Sequence, residues 1–451
     1  MLKLANPGTV TDLVTEKDKF GVDRFLYLFL SFGASFRGFR RLRHVIVIDG
    51  THLGGKFMGT LLTASGQDAN FQVFPLAYAV FDSENNDSWT WFLEKLEKIL
   101  ADSSSRTIIS DRCPSIKVAK AKIYPKAHHA ACIVHLARNV TACYKSKGLA
   151  KMVISAAFQY RIGGFRKIYN DIRAASPDCA RYLHKIGIAH WSRAHFPGDR
   201  YNLMTSNAAE QLNKALRGGR NSPILELLKF IQDMMTRWFN ARRKKSLKHT
   251  GMCTPEVDKV LTANMEACKG SKINMVSSWA VQIVGRFGEK HQVLLRDRKC
   301  TCRVFDKLKI PCGHALMAAD SLGLPYSSMQ GDTFKPTAWV DTYEGIVFPP
   351  EEGVDYDFPA DLFKVSVMPP NTHRPSGRPK ETRIPSTGEV PVSQITSLSP
   401  LLLYFRTCSI LTHCFPIEVA QTKEGSSKQV FPLPGCGPQQ DQLQNPHLSL
   451  L

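Results

Sequence analysis

This sequence of 451 residues lacks the features of secreted and membrane-spanning chains. Its first residues, MLKLANPGTV, show no charged leader followed by an apolar core. No stretch approaches the roughly 20 apolar residues that cross a bilayer. Twelve cysteines at uneven spacing are too few for a disulfide scaffold, and no internal repeat is visible. We therefore expect a soluble protein of a reducing, intracellular compartment.

Acidic residues are also in deficit. The chain has 39 Asp and Glu against 59 Lys and Arg, a formal net charge of +20. Such an excess favours a polyanionic partner, because clustered Lys and Arg neutralise phosphates and release counterions. A generally basic soluble protein is the alternative. The length fits two or three domains of roughly 150 residues each.

Residues 44–135 carry an alternating pattern of strands and helices. The pattern predicts three strands, a helix, a strand, a helix and a fifth strand, which indicates an α/β fold combining antiparallel strands with a parallel crossover. The strands are predicted at 44–53, 59–69, 71–82, 106–111 and 128–135, and the helices at 88–100 and 114–124.

The remaining segments divide by composition and periodicity. Residues 1–43 read as a helical lead-in that ends in a basic cluster, and residues 136–200 are helical in pattern. Further helices are expected at 206–217 and 223–245, followed by a linker at 246–274. Residues 275–325 predict a compact unit of two short strands, a Cys/His cluster and a helix. Residues 345–451 are rich in Pro, Gly, Ser and Thr and are predicted to be a disordered tail.

Three acidic residues are candidates for metal-dependent chemistry. Asp49 and Asp111 each close a predicted strand, where active sites of open α/β sheets collect, and Glu210 lies on a helix one turn from Asn213. Three carboxylates can hold two divalent cations for phosphodiester chemistry, and oxygen ligands favour Mg²⁺ or Mn²⁺. Taken singly, each Asp also fits a turn or cap residue, and the Glu fits a solvated surface charge.

Five segments together resemble the Mutator-like element (MULE) transposases of plants. They are VIDGTHLGGKF, LLTASGQDANFQVFPLAYAVFDSENNDSWTWFL, IISDR, HHAACIVHLARN and RYNLMTSNAAEQLN, and they occur in the family's order. The resemblance implies an RNase H-like core over residues 44–245, with a helical insertion at 136–200. It also implies that Asp49, Asp111 and Glu210 are the catalytic acids of a DDE-type transposase.

The same resemblance singles out three possible accessory residues. Cys132 and His135 match a Cys-x-x-His pair of the family, although a buried thiol and a core histidine are the alternative. His52, three residues past Asp49, could contact a metal-bound phosphate or make only a supporting hydrogen bond. Trp191 could stack on a displaced base or be a packed core residue.

The segment KCTCRVFDKLKIPCGH contains the most specific local motif. Cys300, Cys302, Cys312 and His314 supply three thiolates and one imidazole, a closed tetrahedral set that is typical of structural zinc. A Cys-x-Cys pair on a strand and a Cys-x-His pair entering a helix can converge on one ion. This spacing is similar to that of the SWIM zinc finger, which MULE transposases carry after the catalytic core. Zinc would stabilise a ββα unit with little core of its own.

Two basic segments could bind DNA phosphates or act as nuclear import signals. The first contains Arg242, Arg243, Lys244 and Lys245. The second contains Arg378 and Lys380 and is similar to an AT-hook, in which Arg enters the minor groove. Solvated basic faces are the alternative for both segments.

Three functions remain open at this stage. The first is a nuclear MULE-type transposase that cleaves DNA and transfers strands, acting as a possible homodimer. The second is a domesticated, non-catalytic zinc-finger regulator of transcription that binds DNA. The third is a zinc-stabilised module for protein interaction. Family members usually begin with a separate end-recognition module and often end in a zinc knuckle. Here the first acid comes at Asp49, and Cys408, Cys414 and Cys436 lack knuckle spacing.

Overall fold

The computed structural model describes residues 2–54, 58–349 and 367–369. None of the helices in these ranges has both the length and the apolar character that a membrane crossing needs.

A mixed sheet of seven strands organises the first half of the described chain. Its spatial order is first, second, fifth, fourth, third, sixth, seventh. All neighbours pair antiparallel except the last three strands, which run parallel to one another. The strands are β1 (Val10–Lys17), β2 (Asp23–Ser31), β3 (Val45–Leu53), β4 (Gly59–Gln67), β5 (Val73–Phe81), β6 (Thr107–Ser110) and β7 (His128–Ala131).

The predicted order of elements over residues 44–135 is confirmed. Strands β3 to β5 form an antiparallel meander, α3 (Asn86–Ile99) and α4 (Pro114–Ile123) pack against each other, and β6 and β7 extend the sheet in parallel. The Asn85 side chain accepts hydrogen bonds from two backbone N–H groups at the start of α3, and Pro114 opens α4. All nine residues of β5 are buried, which explains its continuous apolar sequence.

Helices cover both faces of the sheet. The side chain of Asp49 on β3 meets Asn213 of α10 (Asn207–Ala215). A Cβ on the next residue, Gly50, would point to the other face and contact Glu84, just before α3. The long helix α11 (Ile224–Leu247) follows α10, and two shorter helices are α1 (Leu2–Ala5) and α2 (Gly33–Phe39).

Between β7 and α10, five helices form a body with its own apolar core. This agrees with the helical pattern predicted for residues 136–200. The buried core includes Phe165, Leu183 and Trp191. The helices are α5 (Ile133–Tyr144), α6 (Lys147–Ala157), α7 (Ile162–Ala175), α8 (Pro177–Ile186) and α9 (Ile188–Trp191).

The Cys/His cluster belongs to a unit of three helices and a small sheet, which has four strands and not the predicted two. This unit is named the zinc-bearing unit after the ion that the cluster is predicted to hold. The four strands pair antiparallel in sequence order. The unit has a separate apolar core that includes Val281, Val293 and Leu316. Its elements are α12 (Pro255–Ala267), β8 (Lys272–Met275), β9 (Ala280–Val284), β10 (Lys290–Leu294), β11 (Lys299–Cys300), α13 (Val304–Leu308) and α14 (Gly313–Ser321), and α15 (Pro336–Thr342) follows.

The helical lead-in predicted for residues 1–43 is wrong. Strands β1 and β2 form a hairpin there, and β2 pairs with β5, so the hairpin extends the main sheet. The residues of β1 are partly or fully exposed because β1 is an edge strand, and its polar sequence therefore gave no clear strand pattern. Only α1 and α2, of four and seven residues, are helical in this region.

The linker predicted at 246–274 is also wrong. Helix α12 lies within it, and Val257 and Leu261, one turn apart, enter the core of the zinc-bearing unit. In the predicted tail, Val347 is buried, and Met368 forms a bridge to Arg24. Residues 350–366 and 370–451 of that tail lie outside the described residues.

The buried Arg43 joins the sheet to the zinc-bearing unit. Its guanidinium donates to the backbone oxygens of Gln67 and Asp68 and to Oδ1 of Asn202, the last at 2.6 Å. It also lies over the ring of Phe334, 4.6 Å from the centroid. With the side chain 1% exposed, these contacts replace water around the charge.

The segment just before α10 is held from the zinc-bearing unit as well. Nζ of Lys307 donates to the backbone oxygen of Phe196 at 3.1 Å, and Lys309 pairs with Asp199 at 3.6 Å. The segment that leads into α10, the helix of Glu210, is therefore held by Arg43 at Asn202 and by the zinc-bearing unit at Phe196 and Asp199.

Candidate active site and metal centre

Asp49 lies in the middle of β3 rather than at its end, because the strand continues to Leu53. Its Oδ2 accepts a hydrogen bond of 2.9 Å from Nδ2 of Asn213. The hydroxyl of Thr63, on the neighbouring strand, donates to Oδ1 of Asn213 at 3.3 Å and fixes that amide. The first predicted acid is thus anchored to the helix that carries the third.

Asp111 follows β6 directly, as the sequence predicted. Because β3 and β6 are parallel neighbours, Asp49 and Asp111 belong to adjacent strands. Oδ1 of Asp111 accepts from the backbone N–H of Cys113 at 3.0 Å, just before α4 begins. One oxygen of the Asp111 carboxylate therefore stabilises the turn before α4, which is the alternative role that the sequence analysis gave for this residue.

Glu210 lies in the first turn of α10, near two polar side chains. Its Oε1 is 3.5 Å from the hydroxyl of Ser206 and 3.9 Å from Nε2 of His135. Ser206 is fully buried, and its hydroxyl also lies 3.4 Å from Nδ1 of His135. These contacts connect the Cys-x-x-His pair to the third acid.

Cys132 and His135 are therefore not isolated core residues. Sγ of Cys132 accepts from both the backbone N–H and the hydroxyl of Ser206, each at 3.2 Å. A hydrogen bond with Cys132 raises the pKa of His135 to about 9, although burial opposes the shift. Burial raises the pKa of Cys132, but its hydrogen bonds, chiefly with His135, outweigh burial and lower the pKa overall. The pair thus places positive charge on His135 beside Glu210.

The charges of Asp111 and Glu210 act on Asp49. Burial raises the pKa of Asp49 to about 7, the nearby His135 opposes the rise, and Asp111 and Glu210 add to it. Like charges within a partly buried site disfavour full ionisation. The site thus concentrates negative charge that a cation would neutralise.

Sequence reasoning missed several residues of this site. Glu84 lies against Gly50, on the face of the sheet opposite to the Asp49 side chain, but its charge still raises the pKa of Asp49, and its Oε1 accepts from Nε1 of Trp89 at 3.0 Å. Asn213, Thr63 and Ser206 orient the acids. Asn213 was placed one turn from Glu210 in the sequence analysis but was given no role; that spacing, which puts both residues on one helix face, was the available signal.

Two further sequence candidates do not join the site. His52 is exposed and, by strand alternation, points away from the face that carries Asp49. Trp191 is fully buried, and its Nε1 donates to the backbone oxygen of Leu183 at 3.2 Å. The core alternative for Trp191 is confirmed, and base stacking by this residue is excluded.

The second site is the predicted Cys/His cluster. The ligand atoms of Cys300, Cys302, Cys312 and His314 all lie within 4.8 Å of one another. Nδ1 of His314 is 3.8 Å from Sγ of Cys300 and 3.9 Å from Sγ of Cys312. Zinc bonds of about 2.3 Å to sulfur and about 2.0–2.1 Å to nitrogen at a tetrahedral angle require about 3.6 Å between such atoms. The donor set and its spacing therefore fit zinc.

Local structure brings these ligands together, although Cys302 lies after the strand, whereas the sequence predicts the whole Cys-x-Cys pair on it. Cys300 ends β11, Cys302 lies in the following turn, and Cys312 precedes α14, whose second residue is His314. A Cβ on Gly313 would overlap the backbone oxygen of Asn264 on α12, so only glycine fits between the last two ligands. Within the described ranges this is the one group of three or more such side chains close enough to hold an ion, and the three acids do not form another.

The first predicted basic segment is only partly available for DNA. Arg242 donates to the backbone oxygen of Val73, and Arg243 donates to the backbone oxygen of Tyr343 at 2.7 Å. These two side chains therefore attach α11 to its neighbours, whereas Lys244 and Lys245 are exposed. The second pair, Arg378 and Lys380, lies outside the described residues.

Comparison with known proteins matches both regions. The family model described as MULE transposase domain matches residues 45–139, and that of the SWIM zinc finger matches residues 291–323. Protein FAR1-RELATED SEQUENCE 6 of Arabidopsis thaliana is 27% identical over 96 residues, which are 21% of this chain. The match spans 14% of that protein's length. The chain carries a MULE transposase domain followed by a SWIM zinc finger whose Cys/His group indicates zinc.

Proposed function

We propose that the MULE domain is an RNase H-like, metal-dependent centre for DNA cleavage and strand transfer, with Asp49, Asp111 and Glu210 as its acids. The observation that carries this proposal is that Asn213, three residues after Glu210 on α10, holds Oδ2 of Asp49, while Asp111 follows the strand that runs parallel to β3. The three acids come from β3, the end of β6 and α10, yet Asp111 and Glu210 both raise the pKa of Asp49. This arrangement of residues that are distant in sequence supports a common, negatively charged site for the three acids.

The donor set fits Mg²⁺ or Mn²⁺, because hard divalent cations prefer carboxylate oxygens. Two such ions lie about 3.5–4 Å apart, so the three carboxylates need not all contact one another. When bound, the cations would activate the attacking oxygen and stabilise the leaving oxygen of the phosphodiester.

The chain's own residues prepare the acids for this role. Asn213 holds Oδ2 of Asp49 and the Cys113 N–H holds Oδ1 of Asp111. Among the described residues, the other oxygen of each of these carboxylates makes no hydrogen bond, so it is free for a cation. Ser206 and His135 orient Glu210 from the side of the helical body.

A plasmid-nicking assay tests the proposal. Purified, zinc-loaded protein is incubated with supercoiled plasmid and Mn²⁺ at low salt, beside Asp111→Asn. Asp171→Asn, at an exposed position of α7, controls for the loss of one negative charge. We expect nicking by the parent and by Asp171→Asn, but not by Asp111→Asn. Equal nicking by all three, or none by folded parent protein, would reject the catalytic role.

A second candidate is a non-catalytic, DNA-binding regulator of transcription. The observation in its favour is the charge of the zinc-bearing unit, where residues 272–309 contain nine Lys and Arg against three Asp and Glu. Binding to DNA that weakens steeply with salt, without nicking, would support this function. Both functions would place the protein in the nucleus. Cleavage at two element ends also suggests a homodimer, which sedimentation analysis can test.

A further inference from the structure

We infer that Arg217 and Arg220 form a binding site for the phosphate backbone of DNA beside Asp49. This inference rests on the proposed function of the acidic site and names a contact for its substrate. The two residues flank Gly218 and Gly219 in the loop that leaves α10, the helix that carries Glu210.

The loop is attached to the same strand as Asp49. Nη1 of Arg220 donates to the hydroxyl of Thr51, and the backbone oxygen of Arg220 accepts from the N–H of Gly54 at 2.9 Å. Thr51 is two residues beyond Asp49 on β3, so both side chains lie on one face of the sheet, about 7 Å apart along the strand. The arginine is thus at the edge of the acidic site.

The loop is also held firmly from behind. A Cβ on Gly219 would lie 2.9 Å from the ring of Phe230, and one on Gly218 would lie 3.0 Å from it. A Cβ at either position would require the Phe230 ring to shift, so the loop packs directly on α11 through its glycines. The two arginines therefore project from a fixed backbone, which lowers the entropic cost of binding a ligand.

The charges of these arginines are not balanced within the described part of the chain. No carboxylate there is within 4.0 Å of either guanidinium, and the buried Nε of Arg220 has no hydrogen-bond partner. Burial, and then the charge of Arg217, lower the pKa of Arg220. Two neighbouring cations without a counter-charge repel each other, and a phosphate bound to the exposed Arg217 and to the outer part of the Arg220 guanidinium would relieve the repulsion.

A backbone phosphate is the anion that fits this position. The site next to the acids is the place where a nuclease must hold the strand it cuts, and paired arginines recognise phosphate oxygens well. Contacts of this kind position the strand without reading its sequence.

The experiment measures DNA binding separately from cleavage. Fluorescence anisotropy follows a short labelled DNA duplex from about 50 to about 200 mM KCl, with no Mg²⁺ or Mn²⁺ added, for the parent and for Arg217→Ala and Arg220→Ala. Arg220→Lys retains the positive charge but lacks the planar guanidinium that can donate two parallel hydrogen bonds to a phosphate. Arg173→Ala, at an exposed position of α7, is the matched control for charge. Circular dichroism and thermal melting establish that each variant is folded.

We expect the slope of log affinity against log salt to become shallower by about 0.9 for each alanine variant. The loss of affinity between about 50 and about 200 mM KCl then shrinks about threefold. Arg220→Lys should keep the parent's slope but bind DNA more weakly. Arg173→Ala should keep both the slope and the affinity of the parent. Unchanged slope and affinity in both alanine variants, or no DNA binding by the parent, would overturn the inference. If the parent protein binds DNA but never nicks it, and the alanine variants bind more weakly, the cleavage proposal is rejected and the phosphate site is supported.

Discussion

Replacing Asp49 by Asn should stabilise the protein in the absence of Mg²⁺ and Mn²⁺. The pKa of Asp49 rises from 3.8 to about 7 on folding, chiefly through burial. A raised pKa means that the native state favours the protonated carboxyl, so stability is lost as pH rises from about 4 through about 7. The shift corresponds to about 4 kcal/mol at most, since one unit is about 1.4 kcal/mol.

The gain should be somewhat smaller than this limit. Asp49 also raises the pKa of His135, so its charge stabilises the protonated imidazole, and the variant loses that attraction. We expect a gain of about 2–4 kcal/mol above pH 7 and almost none near pH 4. For a domain of 150–250 residues this raises the Tm by about 5–15 °C. The amide can still accept the hydrogen bond from Asn213.

Thermal melting of the parent and Asp49→Asn at several pH values between about 5 and 8 measures this effect. Mn²⁺ supplies a second comparison, because a ligand at 100 times its Kd stabilises the native state by about 2.7 kcal/mol. The Tm of the parent should rise with Mn²⁺ while that of the variant stays nearly constant. Equal Tm values at pH 8, or a gain of the same size at pH 5, would refute the reasoning.

Four further substitutions test other parts of the structure. Cys312→Ser should lower the zinc content from one ion per chain to almost none, measured by elemental analysis, because a closed four-ligand site loses one thiolate; full zinc content would contradict the assignment. Arg43→Ala should reduce the free energy of unfolding in urea by about 3 kcal/mol or more, since buried acceptors lose their donor; a loss below about 1 kcal/mol would argue against its joining role. Gly38→Ala should destabilise by about 1–3 kcal/mol because its Cβ would overlap the backbone oxygen of Thr342. Gly163→Ala, in open space on α7, should instead stabilise by about 0.5–1 kcal/mol, and the same sign in both glycine variants would contradict the packing described.

The parts of the fold that the sequence predicted well have strong local patterns. Strand β5 is continuously apolar because it is buried on both faces, and α3 combines a capping residue with helical spacing of its apolar side chains. The zinc ligands were equally clear, because spacing of one residue within each Cys/His pair is a local property. Periodicity and spacing are sufficient where neighbours in sequence share one environment.

The missed features depend on contacts distant in sequence. Strand β1 is half-exposed at the sheet edge and shows no clear alternation, and α12 has only a narrow apolar stripe that the zinc-bearing unit buries. Arg242 and Arg243 look like surface charges, yet their partners lie about 100 or more residues away in the chain. The sequence did not indicate that Glu84 affects Asp49, because its position near Asp49 is set by the turn between β5 and α3.

The hydrogen bond between Asn213 and Asp49 joins residues 164 positions apart. At synthesis rates of about 5–20 residues per second, Asn213 is made about 8–33 s after Asp49. Once Asp111 has been made, and until Glu210 follows, the growing chain contains the first two acids but neither the third acid nor the Asn213 amide that anchors Asp49. The strands can pair early, yet the complete acidic site forms only after the helical body and α10 have been synthesised. Any activity of this site therefore belongs to the finished domain, and a nascent chain that stops within the helical body does not acquire it.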